Sequence, residues 1–170
     1  PFDEDGYPHR PVPWIERGVL KELGSGIKYA KSNGLDKPLQ TWVPYRMTGG
    51  DATVEEMITS TQKGVLVTNM ATIVTTDLKS GAENTYTRDG LWFIENGKIK
   101  HPIRNMRVLE SPFFIGNKIE MLGKPEPVLG ARWQAPKADN TPSLAFGGFR
   151  MVVPAMKVRD FNFKALSNAV

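Results

Sequence analysis

The chain predicts a mainly β domain: antiparallel sheets in a sandwich or barrel-like arrangement, with two or three short helices. Three observations carry this expectation. Sixteen glycines and thirteen prolines cut the 170 residues into short apolar segments, and such punctuation favours strands joined by turns. Asn96-Gly97 stands between the apolar run Leu91–Ile94 and the alternating Lys98-Ile99-Lys100. Asn-Gly supplies the two positive φ angles of a type I′ turn, the strongest short hairpin signal. Finally, the β-branched residues are gathered into brief runs, which suit a pleated, half-buried surface. Residues 1–170 are expected to form one domain, a length able to bury about 70% of its unfolded surface.

The elements follow in order. Val12–Leu23 reads as a hairpin around Arg17-Gly18. Ile27–Ser32 reads as a short helix closed by Asn33-Gly34. Thr53-Val54-Glu55-Glu56 has capping-box spacing, in which the Thr53 hydroxyl accepts from the third amide and Glu56 reaches back. Val54, Met57, Ile58 and Thr61 continue its apolar stripe, with Gly64 as the expected stop. Val65–Val67 and Ile73–Thr76 are two strand candidates, and Leu91–Ile103 is the hairpin around Asn96-Gly97. Its pattern matches the first: Trp14-Ile15-Glu16 before Gly18 against Phe93-Ile94-Glu95 before Gly97. The match reflects either a duplicated hairpin or convergence on good turn chemistry. Met106–Leu109 is a further strand. Ser111 caps and Pro112 opens a second clear helix, whose apolar face is Phe114, Ile115, Ile119 and Leu122 and whose end is Gly123. Pro125–Pro142 carries four prolines and reads as an ordered loop or crossover, or else as disorder. Met151–Val158 closes the chain as a strand.

Composition excludes several classes. The chain has no cysteine, hence no disulfide framework and no thiolate ligand. No run approaches the roughly 18 apolar residues of a membrane helix, so no membrane role is expected, and a cytoplasmic setting is. The chain begins at Pro1, which points to a piece of a longer protein. Net charge is a mild +4. Lys98, Lys100, His101, Arg104 and Arg107 cluster after the hairpin turn, either as a solvated strand face, where lysines discourage edge pairing, or as a nucleic-acid surface.

Catalytic constellations are sparse. Zinc demands three or four donors, and the chain offers His9 and His101, far apart and outside any helical His-Glu motif. No metal ligand and no catalytic residue is therefore assigned. Ser80, His101 and Asp89 make a triad on paper with no nucleophile elbow around it. Gly49-Gly50 and Gly147-Gly148 lack phosphate-loop context and read as turns. Arg88-Asp89 is either a turn-stabilising ion pair or a handle for a peptide carboxylate. Trp42, Trp92, Phe93 and Trp133 read as core. A β-rich domain without catalytic donors can still hold an extended peptide by adding it to a sheet edge. Val65–Thr68, Ile73–Thr76 and Tyr86–Arg88 are the candidate groove wall, and Val65, Val67, Thr68, Arg88 and Asp89 the candidate peptide-binding residues.

Six stretches, in order, resemble the C-terminal domain of the TldD/PmbA family, metallopeptidase-related proteins once called modulators of DNA gyrase. They are Pro1–Gly6 followed by Ile15–Lys21, Tyr29-Ala30-Lys31, Gly50–Ile58, Gly64–Thr68, Gly90–Ile103 and Pro154–Phe161. Lys124–Gly148 matches least. The resemblance implies a parent that cleaves unfolded or modified peptides, with this domain as chamber wall and subunit interface. It implies as partners the parent's own N-terminal catalytic region, a homo- or hetero-dimeric subunit and a peptide substrate. It also implies zinc in the parent, held by an H-E-x-x-x-H helix upstream and, in some members, by a cysteine near the region corresponding to Gly123–Trp133. No cofactor is expected in this chain itself. A non-catalytic, PmbA-like assembly partner is the alternative, and nucleic-acid binding the weakest reading.

Overall fold

The structure, a computed structural model, describes residues 2, 6–8, 10–35, 45–129 and 150–164. It divides into two units, Pro1–Tyr45 with Gly130–Phe149, and Arg46–Leu129 with Arg150–Val170.

In the first unit, β1 (Ile15–Glu16) and β2 (Val19–Leu20) form the expected hairpin, shorter than Val12–Leu23. Arg17 and Gly18 take φ of 50° and 77°, the two positive angles of a type I′ turn. Helix α1 (Ile27–Ser32) ends on Asn33, and Gly34 at φ 64° lets the Leu35 amide return to the Ala30 carbonyl at 2.9 Å. Ala30 is the buried residue of this helix.

In the second unit, α2 (Val54–Thr59) carries the complete capping box: Glu56 N–H donates to Thr53 Oγ1 at 3.1 Å, and Thr53 N–H to Glu56 Oε2 at 2.8 Å. The helix stops at Ser60, earlier than Gly64. Ser60 Oγ and Thr61 Oγ1 both donate to the Met57 carbonyl, and competition of this kind unwinds a helix end. Lys157 Nζ donates to the Ser60 carbonyl at 3.2 Å and to Ser60 Oγ at 3.0 Å, so a cation sits at the negative pole of the helix.

Val65–Val67 and Ile73–Thr76 belong to one long strand, β3 (Lys63–Asp77), paired antiparallel along β4 (Ala82–Glu95). Two register shifts, between Val67 and Asn69 and between Ala71 and Val74, fall where the two apolar runs join, and a third lies between Thr75 and Asp77. β4 has β3 on one edge and shares its other edge between β5 (Lys98–Pro102) and β6 (Arg107–Glu110). Beyond β6 lies β11 (Phe163–Lys164), giving an open five-stranded sheet. No closed barrel forms among the described residues. Leu91, Ile94 and Val108 are at most 4% exposed. The buried Thr87 beside them is satisfied: its Oγ1 accepts from Met106 N–H at 2.8 Å and donates to Asn105 Oδ1 at 3.2 Å.

Three expectations are corrected here. The helix after Ser111 is only α3 (Pro112–Asn117), and Ile119 and Leu122 lie instead in strand β7 (Ile119–Leu122). Gly116 and Asn117 are poor helix formers, and β7 gains a partner in β10 (Met156–Val158). Met151–Val158 is likewise two strands, β9 (Arg150–Val153) and β10, parted at Pro154, which has no N–H for a ladder. Part of Pro125–Pro142 is strand β8 (Glu126–Leu129), paired with β9; residues 130–142 fall outside the described residues.

The β3–β4 turn is held by Asp77. Its carboxylate accepts from Ser80 Oγ at 2.6 Å and from the Lys79 and Ser80 amides. The Ser80 hydroxyl, and then the Lys79 amide, hold its pKa below the usual carboxylate value. A depressed folded pKa means that the support is complete above the unfolded value of about 4 and is lost as pH falls through the folded one. A ¹³C carboxyl titration should give Asp77 a midpoint below that of the same segment as a free peptide; a midpoint at or above it would refute the turn's role.

Candidate functional site

The sheet presents one free edge. Among the described residues, β3 has β4 on one side and no strand on the other. Antiparallel ladders alternate hydrogen-bonded and non-hydrogen-bonded pairs, so the bonding phase fixes which residues point outward. Asn96 N–H donates to the Gln62 carbonyl at 2.8 Å, and Ile103 N–H to the Leu91 carbonyl at 2.8 Å. Leu91, Phe93 and Glu95 therefore bond towards β5. Trp92 and Ile94 bond towards Leu66 and Gly64 on β3. By elimination, the backbone N–H and C=O groups of Lys63, Val65 and Val67 point out of the sheet edge. Val65 and Val67 keep their side chains half-buried, opposite Phe93 and Leu91.

Next to this stretch lies a bulge. Val67 pairs with Leu91 while Asn69 pairs with Arg88, so β4 carries one residue more than β3. Asp89 at φ 58° and Gly90 at φ 138° absorb it. Thr68 Oγ1 donates to the Gly90 carbonyl at 2.8 Å, and Asn69 Nδ2 donates to Asp89 Oδ2. A Cβ on Gly90 would lie 3.0 Å from Thr68 Oγ1 and 3.1 Å from Trp92 Nε1. Bulges of this kind bend a strand and re-aim its side chains, often beside functional sites.

Val65, Val67, Thr68, Arg88 and Asp89 are thus all at one stretch of the β3–β4 ribbon. Of the two alternatives for Arg88-Asp89, the mutual ion pair does not form among the described residues. Asp89 is held by Asn69, and Arg88 is exposed with no ion pair among the described residues. Tyr86 lies in β4 opposite Arg107 of β6. Sequence reasoning missed the bulge itself; its signal was Asp89-Gly90 inside an otherwise continuous strand pattern.

Other candidates do not assemble. Ser80 Oγ is bound to Asp77, Asp89 to Asn69, and His101 Nδ1 lies 3.1 Å from the Pro102 carbonyl. His101 sits on the exposed β5 with its ring 5.5 Å from that of Phe93. No three of His, Cys, Asp and Glu come together among the described residues, so the donors seen do not fit a zinc ion. His9, Trp42, Trp133 and Gly147-Gly148 lie outside the described residues. Trp92 is 36% exposed, a rim residue more than a core one. Gly49-Gly50 forms no turn, and neither residue takes a positive φ. Lys98, Lys100 and Arg104 are exposed, whereas Arg107 is half-buried in β6 with its Nε shielded from solvent. The basic cluster is therefore not one exposed set. No described helix is long and apolar enough to cross a membrane.

Comparison with known proteins agrees with this architecture. A family profile for the PmbA/TldA metallopeptidase C-terminal domain matches residues 1–164. The metalloprotease TldD homolog of Buchnera aphidicola subsp. Acyrthosiphon pisum is 26% identical over 134 residues, 72% of this chain and 27% of that protein. Among solved structures, a candidate modulator of DNA gyrase from Bacteroides thetaiotaomicron aligns with TM-score 0.69 at 22% identity, over 97% of this chain and 33% of that one. A candidate gyrase modulator from Thermotoga maritima gives 0.69 at 19% identity, over 96% of this chain and 35% of that one. TldE from Thermococcus kodakarensis gives 0.64 at 16% identity, over 96% of this chain and 36% of that one. At such identities the structural likeness speaks for the fold. The chain spans about a quarter to a third of the length of these relatives.

Proposed function

The chain belongs to the PmbA/TldA metallopeptidase C-terminal domain family, and from that premise we propose that it holds extended peptides, unfolded or modified, along β3 for a catalytic region elsewhere in a longer parent protein. The observation that supports this is the row of outward backbone groups at Lys63, Val65 and Val67. An added strand bonds to main-chain groups, so it is held with little regard to sequence, as a processor of varied peptides requires. The bulge at Asp89-Gly90 would end the pairing surface, and Arg88 beside it supplies a cation for acidic groups on the peptide. On this reading the parent's catalytic residues and metal lie elsewhere in the parent, and the domain serves as chamber wall and subunit interface.

The outward phase gives a selective test. Proline at Val67 removes a donor from the free edge and leaves the β4 ladder intact, as edge positions permit. Proline at Leu66 removes a ladder bond to Trp92. Val67→Pro should weaken binding of an unstructured peptide capped at both ends at least about tenfold by fluorescence anisotropy, with the unfolding midpoint nearly unchanged. Leu66→Pro should unfold the ribbon. If Val67→Pro binds the capped peptide as the unsubstituted chain does, peptides do not dock on this edge.

A further inference from the structure

An open notch of about 440 Å³ lies in the second unit, between the segment Arg46–Asp51 and Lys124-Pro125. Its walls are fixed by backbone bonds. Met47 N–H donates to the Val152 carbonyl at 2.9 Å, Gly50 N–H to the Gly123 carbonyl at 2.9 Å, and Ala52 N–H to the Leu122 carbonyl at 3.2 Å. The segment passes so close to its neighbour that a Cβ on Gly49 would collide with the Gly123 carbonyl oxygen, and one on Gly50 would lie 2.6 Å from the Leu122 oxygen. Two glycines are therefore needed for the approach, and they leave part of the notch lined by bare backbone. Charged side chains rim it. Arg46 and Lys124 are exposed, and neither makes an ion pair or a side-chain hydrogen bond among the described residues. Asp51 is the third charge and is also without a partner there.

We infer that this notch binds a carboxylate, with Arg46 and Lys124 as its counter-charges. The charge sum decides the class of anion. Two cations and one carboxylate leave a net charge of +1, which matches a monoanion. A dianionic phosphate would keep an unbalanced charge beside Asp51, and like charges at close range are disfavoured. The Arg46 guanidinium presents the planar fork that grips a carboxylate through two N–H donors, and Lys124 adds a point charge. The Thr48 hydroxyl offers a further donor. In a peptide-handling protein the matching group is a peptide's terminal carboxylate. The occupancy of the notch does not depend on the β3 edge, so the two ideas stand or fall separately.

The test is a ¹H–¹⁵N titration of the protein at low ionic strength with a short neutral peptide ending in a free carboxylate, with the same peptide as its C-terminal amide, and with inorganic phosphate. The free acid should shift the Thr48–Asp51 amides saturably, and the amide should bind at least about tenfold more weakly. Arg46→Gln and Lys124→Gln should each cause a comparable loss. Asp51→Asn should improve phosphate more than it improves the free acid. Equal shifts from acid and amide, unaltered binding in both cation variants, or tighter binding of phosphate than of the free acid by the unsubstituted protein would each overturn the assignment. Shifts at Val65 and Val67 report the sheet edge in the same spectra, and there acid and amide should behave alike.

Discussion

Valine in place of Gly97 should cost about 3–5 kcal/mol, a large share of the roughly 5–15 kcal/mol that holds an ordinary domain folded. Two effects combine at this residue. Gly97 has φ 71°, where a β-branched residue is a steric outlier. A Cβ there would also lie 2.6 Å from the Thr59 carbonyl oxygen and 3.2 Å from the Thr59 Cα, because the end of α2 rests on the hairpin turn. The contact is fastened by the Asn96 and Gly97 amides, which donate to the Gln62 and Thr61 carbonyls at 2.8 and 2.9 Å. Gly18 provides the control. It occupies the matching position of the first hairpin at φ 77°, and a Cβ added there would meet nothing within 4 Å. Gly18→Val should therefore cost the backbone strain alone, about 1–2 kcal/mol. Urea denaturation separates the two; equal losses would mean that the α2 contact contributes nothing.

Lys118→Met should cost about 3 kcal/mol, because it strands a buried carboxylate. Glu110 is 9% exposed. Its Oε2 accepts from Lys118 Nζ at 3.2 Å, and its Oε1 accepts from Ser111 N–H at 3.2 Å. Lys118 Nζ also donates to the Asp160 carbonyl at 3.0 Å, so one ammonium joins β6, the end of α3 and the turn before β11. Removing the cation leaves Glu110 with a single donor among these. Adding Glu110→Gln to Lys118→Met should recover at least half of the loss, since the amide carries no charge to desolvate. A double variant as unstable as the single one would show that packing of the lysine stem, and not its charge, holds this corner. Surface pairs offer a contrast: Glu16–Lys21 at 3.8 Å is exposed on both sides, and its removal should have little effect.

The features legible in the sequence are those written into neighbouring residues. Thr53 and Glu56 are three apart, and the capping box they form needs nothing else. Arg17-Gly18 and Asn96-Gly97 specify their turns through their own φ preferences. The misread stretches depended on partners distant in the chain. Ile119–Leu122 continues an apolar helical stripe on paper, yet β10 converts it to strand. Ile73 and Val67 look like separate strands because the register shifts joining them are visible only against β4. The candidate site divides in the same way. Val65 and Val67 stand out by β-branched composition, but the direction of their amides follows from pairing phase, which no local pattern encodes. The Arg46–Lys124 notch was invisible, since it brings together residues far apart in sequence.

The two partners that share one edge of β4 also set the order in which chain entropy is spent. β3, β4 and β5 are consecutive, joined by short turns at Leu78–Gly81 and Asn96-Gly97. Closing short loops demands little, and the demand grows with the separation of the ends. The β3–β4–β5 ribbon can thus assemble from local encounters. β6 arrives next, by a brief return along the same edge of β4. β11 pairs with β6, and β10 with β7, across long separations in the chain, which makes their closure more demanding. Topology of this kind concentrates early, low-contact-order pairing in one segment of the chain. That segment is the one bearing the outward edge of Val65 and Val67, so the proposed peptide surface rests on the part of the sheet least dependent on distant strands.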